Sequence, residues 1–340
     1  MRGAAGRIGL LLTGLAVALG LAEVIVRAGG LAPEVVVVGQ GRFRLSANPK
    51  IGYEPQPRVS VEGDPRDFND YRGASNRLGY RDYDHPAANP RGHYRIVVLG
   101  DSIGAGLFVE DRDDVFPALV EHLLRTEKVK AEVINLSVSG YNTQQEVETL
   151  KDRGLVYRPG LVLLEYCLND RGYDGGGIMP AMVALEMNAR GIPRSRVLRP
   201  LLIHSALYRF LRYRALPSHG ADATSYGQKE IERVSVDATE AYFQELGRLA
   251  RERGFKVLVA VFPDFRNLTD YPFPYEHRRV RRLSREAGLE FLDLLPVFQE
   301  CEKNTNGPIA FDRFHPTVPG HRCAAEAIAE TIKLKILGQL

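Results

Sequence analysis

Five short runs, apolar almost throughout, recur along the chain: YRIVVLG (94–100), AEVINLS (131–137), GLVLLEY (160–166), FKVLVAVFP (255–263) and LEFLDL (289–294). A strand that is apolar on both faces belongs inside a parallel sheet covered by helices. The intervening segments carry apolar residues at helical spacing, as in DDVFPALVEHLLRTE (113–127), NTQQEVETLKDRG (142–154) and DATEAYFQELGRLARERG (237–254). HRCAAEAIAETIKLKIL (321–337) closes the chain with an amphipathic helix pattern. Strands alternating with helices predict an α/β domain of three layers, α/β/α, around a five-stranded parallel sheet. The expected strand order is the flavodoxin-like 2-1-3-4-5.

Before this alternation lies a different kind of sequence. Arg2 and Arg7 precede Ile8–Ala22, fifteen residues without a charge; Glu23 interrupts, and Val24–Val26 continue to Arg27. Residues 1–30 are therefore expected as a signal-anchor or signal peptide. The small-residue triplet Ala16-Val17-Ala18 falls inside the apolar run, too early for a cleavage site, which favours an uncleaved anchor. The remainder is expected outside the cytoplasm, membrane-anchored, or secreted if the segment is cleaved. Residues 31–92 are rich in Pro, Gly, Arg and Asn, with β-like pieces such as EVVVV and RVSVEG, and read as a stalk or irregular extension. DHPAANPRGH (84–93) is dense in breakers and marks a boundary. Residues 93–340 then form one domain, with an insertion near 172–234 that holds a glycine run (175–177) and the basic PLLIHSALYRFLRYRAL (200–216).

Charge excludes one class of partner. Forty-five basic residues meet forty-two acidic ones, a net charge of +3, so nucleic acid is not expected. HRRVRRLSR (277–285) and RFLRYR (209–214) read as solvated helix faces. Three cysteines without a CxxC give neither a disulfide framework nor a zinc pattern, and leave the compartment open.

The first strand ends abruptly in Gly100-Asp101-Ser102. Polar residues at that place are either a helix cap or a nucleophile at the mouth of the next helix, where free N–H groups favour a developing oxyanion. Gly104 and Gly106 keep the following turn low and let a ligand approach. A nucleophilic serine needs a base, and the base needs orienting. Asp312 and His315, three apart in FDRFHPTVPGH, can meet in a tight loop stiffened by Pro316 and Pro319. His321 is a competing base without an aspartate at the same offset, and a metal pair of His315 and His321 lacks a third ligand. Gly140 follows the second strand and Asn169-Asp170 the third, so candidate groups collect at one sheet edge.

These motifs, Gly100-Asp101-Ser102, Gly140, Asn169-Asp170 and Asp312-Arg313-Phe314-His315-Pro316, resemble those of the SGNH (GDSL) hydrolase superfamily over roughly residues 94–335. The resemblance implies Ser102 as nucleophile, His315 as base and Asp312 as its orienting carboxylate. It implies an oxyanion hole from the N–H groups of Ser102 and Gly140 and the Asn169 amide, with Asp101 in a supporting role. Cys167 stands where the family's third block carries glycine. NRLGYRDYDHP (76–86) resembles, more loosely, membrane-anchored bacterial members associated with surface polysaccharide. The implied function is a serine esterase removing O-acyl groups, acetyl first among them, from an extracytoplasmic carbohydrate, without metal or organic cofactor. Two alternatives share the sequence: an O-acyltransferase on surface polysaccharide, served by a membrane acyl-transfer partner, and a non-catalytic anchored scaffold.

Overall fold

A computed structural model describes residues 2–39, 41–57, 75–171, 178–215 and 237–338. RVSVEG (58–63), the glycine run and residues 216–234 of the expected insertion lie outside the described residues.

The chain begins with helix α1 (Arg2–Ala28), followed by three short strands, β1 (Val37–Val38), β2 (Phe43–Leu45) and β3 (Tyr53–Pro55). The α/β part runs β4 (Tyr94–Leu99), α2 (Phe116–Thr126), β5 (Ala131–Asn135), α3 (Thr143–Thr149), β6 (Leu161–Tyr166). Helices α4 (Ile178–Ala189), α5 (Leu198–His204) and α6 (Ala206–Phe210) follow, then α7 (Thr239–Arg253), β7 (Lys256–Val261), α8 (Pro274–Ala287), β8 (Glu290–Asp293), α9 (Leu295–Asn304) and α10 (Val318–Thr331).

Strands β5-β4-β6-β7-β8 form one sheet, every neighbouring pair parallel, which is the expected 2-1-3-4-5 order. Alternate residues of each strand face opposite layers. Val97, Leu99, Val162, Leu164 and Val259 pack under Phe243 and Leu246 of α7 and Val280 and Leu283 of α8. Ile96, Val98, Leu161, Leu163 and Leu258 pack under Phe116 and Val120 of α2, Phe298 of α9 and Ile328 of α10. Because β5 and β6 flank β4 on opposite sides, the connections leaving β4 and β5 diverge above its C-terminal end. That switch point is where such sheets open a crevice for ligands.

Two expectations need amending. The described part of residues 31–92 is more ordered than a stalk: β1, β2 and β3 pair antiparallel, and Val38, Phe43, Leu45 and Tyr53 enter the same core as the central sheet. Strands of two or three residues are too short to show periodicity in sequence. Cys301 on α9 and Cys323 on α10 form a disulfide, with Cα atoms 6.2 Å apart. The absence of a framework pattern did not exclude a single bridge, which depends on how two helices pack.

Candidate active site

Ser102 lies three residues beyond the end of β4, in a tight turn rather than a helix mouth. Ala105 N–H donates to the Asp101 carbonyl (3.0 Å) and Leu107 N–H to that of Ser102 (2.9 Å), yet the next α-helix starts only at Phe116. Asp101 caps this turn itself: its Oδ1 accepts from Ile103 N–H at 2.8 Å. The cap and nucleophile readings thus fall on neighbouring residues, and the Ser102 hydroxyl is left to face elsewhere.

It faces His315. Oγ of Ser102 lies 2.8 Å from His315 Nε2. The imidazole is carried by a loop closed by an isolated bridge between Ala310 and Pro316, by Phe311 N–H on the His315 carbonyl (2.8 Å) and by Thr317 N–H on that of Ile309 (2.9 Å). Within that loop Asp312 Oδ1 accepts from the N–H groups of Phe314 (2.8 Å) and His315 (2.9 Å). Asp312 Oδ2 lies 2.8 Å from His315 Nδ1. A carboxylate acceptor places the proton on Nδ1, so the Nε2 lone pair is directed at the serine. Burial pushes the Asp312 carboxyl up, but hydrogen bonds from the His315 ring and from Phe314 N–H outweigh it and hold the group at about 2. It stays an anion throughout the neutral range.

The expected oxyanion donors stand on the adjoining strand ends. Val138 N–H donates to the Gly100 carbonyl (3.0 Å), tying the loop after β5 to the turn that carries Ser102. Gly140 in that loop has φ +77°, a conformation that favours glycine. Among the described residues, the N–H groups of Ser102 and Gly140 have no hydrogen-bond partner. Asn169 Nδ2 donates to Asp101 Oδ2 at 2.6 Å, which fixes the amide's orientation and leaves its second N–H available. Cys167 is absent from the residues with positive φ, so the backbone there does not require the family's glycine. Its thiol is buried, and burial pushes it well above its ordinary range.

His321 is no rival. It is fully buried, stacked on Phe116 and accepts that residue's N–H at Nδ1 (3.3 Å). Burial first, then the nearby Arg81 and His315, lower it to about 3, so it is a neutral core imidazole. Gly104 also has a different reason than expected: a Cβ there would lie 2.2 Å from Ser137 Oγ, so the glycine admits Ser137, not a ligand.

Sequence reasoning missed the residues that brace the turn from below. Glu165 Oε2 accepts from Asp101 N–H (2.9 Å) and Gly104 N–H (3.3 Å). Asn135 Nδ2 donates to the Gly104 carbonyl (2.8 Å). Arg81 Nη1 donates to the Gly106 carbonyl and its Nη2 to that of Val109, both at 2.6 Å. The available signal was a polar residue at the C-terminal end of an otherwise apolar strand, as in GLVLLEY and AEVINLS. The Phe108 ring meets His315 edge-on, centroids 5.3 Å apart, and also meets Phe311, which is 51% exposed.

The GDSL-like Lipase/Acylhydrolase family matches residues 98–323, more than half of the chain. The chain belongs to the GDSL-like lipase/acylhydrolase family. It is accordingly an ester-bond hydrolase. The family match begins inside β4 and ends in α10, enclosing Ser102, Gly140, Asn169, Asp312 and His315. Similar solved structures include the acetyl xylan esterase AlAXEase (16% identity, 70% of this chain and 99% of that one, TM-score 0.41). A catalytic mutant of Axe2, an acetylxylan esterase from Geobacillus stearothermophilus, is similar at 17% identity over 70% of this chain and 94% of that one, TM-score 0.44. TesA is similar at 18% identity, 71% and 98% coverage, TM-score 0.41. No curated protein matches the chain at a significant level.

Proposed function

We propose that this GDSL-family hydrolase is a serine esterase that removes O-acetyl groups from an extracytoplasmic carbohydrate. The reading is carried by the 2.8 Å contact between Ser102 Oγ and His315 Nε2, with Asp312 on the other ring nitrogen. His315 takes the hydroxyl proton as Ser102 Oγ attacks the ester carbonyl. The tetrahedral oxyanion is received by the N–H groups of Ser102 and Gly140 and by the second N–H of Asn169. His315 returns the proton to the leaving sugar oxygen, and an acetyl-serine remains. Water, deprotonated by the same imidazole, then releases acetate and restores Ser102. The acylhydrolase family favours water over a sugar hydroxyl as acceptor.

Support for a sugar comes from the exposed ring of Phe311 beside Phe108 and the base, an apolar face on which a pyranose can lie. Support for an extracytoplasmic site comes from α1, whose residues Gly6–Ala28 are long and apolar enough to cross a membrane, and from the Cys301–Cys323 disulfide, which persists in oxidising compartments. The test is fluorophosphonate labelling with peptide mass spectrometry, followed by acetate release from O-acetylated polysaccharide against release from long-chain acyl esters. An adduct on Ser102, lost in His315→Ala, and preferential acetate release are expected. A folded protein that takes no adduct at Ser102 overturns the mechanism; preference for long acyl chains overturns the substrate.

A further inference from the structure

Glu23 is the one charge inside an apolar segment, and the fold gives it partners. Its Oε2 accepts from Ser205 Oγ (2.7 Å) and Leu207 N–H (3.0 Å), and its Oε1 from Ala206 N–H (2.8 Å). Arg27, bonded to Glu23 Oε1 at 2.6 Å, also donates to the His204 carbonyl. Val26 between them is buried. The last turn of α1 is therefore clamped to the junction of α5 and α6. Its preceding turns are exposed, including Leu11, Leu15, Val17 and Leu19. Gly6–Ala22 spans about 26 Å at 1.5 Å per residue, close to the ~30 Å of a hydrocarbon core. The clamp thus sits where such a helix would leave the bilayer.

The segment that forms the clamp has its own unusual surface. Arg190 to Arg214 contains seven arginines and no carboxylate; Arg199 is buried, Arg190 pairs with Glu186 and Arg209 and Arg212 donate to backbone carbonyls, which leaves Arg194, Arg196 and Arg214 exposed. Within it Val197 (70%), Leu198, Leu201 (45%) and Leu211 are exposed. Arg196 and Arg214 are exposed beside them. Apolar side chains set among arginines are the composition of a helix lying in a headgroup layer. A protein partner would need to supply carboxylates beside an apolar cover at this one place; anionic phospholipid supplies negative charge and apolar volume together, at the height the clamp dictates.

We infer that residues 190–214 rest on the membrane surface beside the exit of α1, with Val197, Leu198, Leu201 and Leu211 among the acyl chains and the exposed Arg196 and Arg214 among anionic phospholipid headgroups. The hydrolase domain is then held in one orientation instead of swinging on a tether. The inference rests on the anchoring part of the function proposed above.

The chain has no tryptophan, so one introduced residue is a clean reporter. Full-length Leu201→Trp, reconstituted in phosphatidylglycerol-containing vesicles with brominated acyl chains, is expected to lose at least half its fluorescence. Leu334→Trp, exposed next to α10 on the opposite layer, is the control and should lose much less. Exchanging Arg196 and Arg214 for Glu, or Glu23→Gln, should weaken the quenching of Trp at 201. Flotation of the vesicles reports anchoring separately. A chain that floats with its 201 reporter quenched no more than the control overturns the inference alone. A chain that does not float overturns it together with the anchoring. Covalent labelling of Ser102 in the same samples reads the hydrolase independently of both.

Discussion

One N–H of the Asn169 amide is committed to Asp101 Oδ2 at 2.6 Å, and the other is available to a substrate oxygen. Asn169→Ala therefore removes the proposed oxyanion donor and strips a buried carboxylate of a partner. Losing one such donor costs about 10²–10³ in rate, and an unpaired buried acceptor about 1–3 kcal/mol. Both effects are expected: a drop of that size in kcat on a soluble acetyl ester, and a lower midpoint in urea. An unchanged kcat would remove Asn169 from the oxyanion hole. Asp312→Asn separates orientation from charge in the same way. It keeps the side-chain shape but takes away the anion on His315 Nδ1, and kcat should fall by about 10⁴. Fluorophosphonate labelling of Ser102 should slow in parallel, because both read the same imidazole.

At the scale of elements, what was legible followed from locality. Strands β4 to β7 are buried on both faces, and a run apolar almost throughout encodes that directly. The Asp312–His315 pairing was legible because three residues of loop bring the two groups together. The helix mouth expected after Ser102 was not there, because Asp101 caps a turn that never propagates. The pairing of Cys301 with Cys323 depends on α9 lying against α10, which no spacing announces. That bridge closes a separation of 22 residues, for which chain-entropy arguments give about 3 kcal/mol. Replacing both cysteines by Ser should cost about 2–3 kcal/mol in urea unfolding. It should spare the esterase rate at temperatures where the variant is folded, since α9 and α10 carry none of the proposed triad residues Ser102, Asp312 and His315. A loss of rate without a loss of stability would show that α9 and α10 position the His315 loop through the disulfide.

Over the whole molecule, the sheet's catalytic end conceals a store of acid. Glu146, Glu165 and Asp170 are all buried, and burial first, then repulsion from neighbouring carboxylates, Asp101 among them in each case, raises each well above its ordinary value. Both Glu146 oxygens, Glu165 Oε1 and Asp170 Oδ1 have no hydrogen-bond partner among the described residues. The folded state thus keeps protons that the unfolded chain releases near the ordinary 4.5 of the glutamates and 3.8 of the aspartate, and stability falls as pH rises above those values. His85 acts in the same direction. Burial opposes its charge, but Asp82 and Glu132 at its two nitrogens raise it to about 9. Its contribution is complete below its ordinary 6.5 and is lost as pH rises through about 9. Asp312 acts oppositely: held at about 2, it stabilises above its ordinary 3.8 and ceases to as pH falls through its folded value. Unfolding free energy should therefore peak at about pH 5 and decline toward about pH 9. Glu146→Gln supplies a neutral group of the same shape, whose amide can donate to the unpartnered oxygens of Glu165 or Asp170. The variant should be more stable than the parent at pH 8 and lose less between pH 5 and 8, as read by urea midpoints across that range. An equally steep decline would mean that Glu146 is already ionised in the folded protein, and that this buried acid is held by solvent the cluster admits.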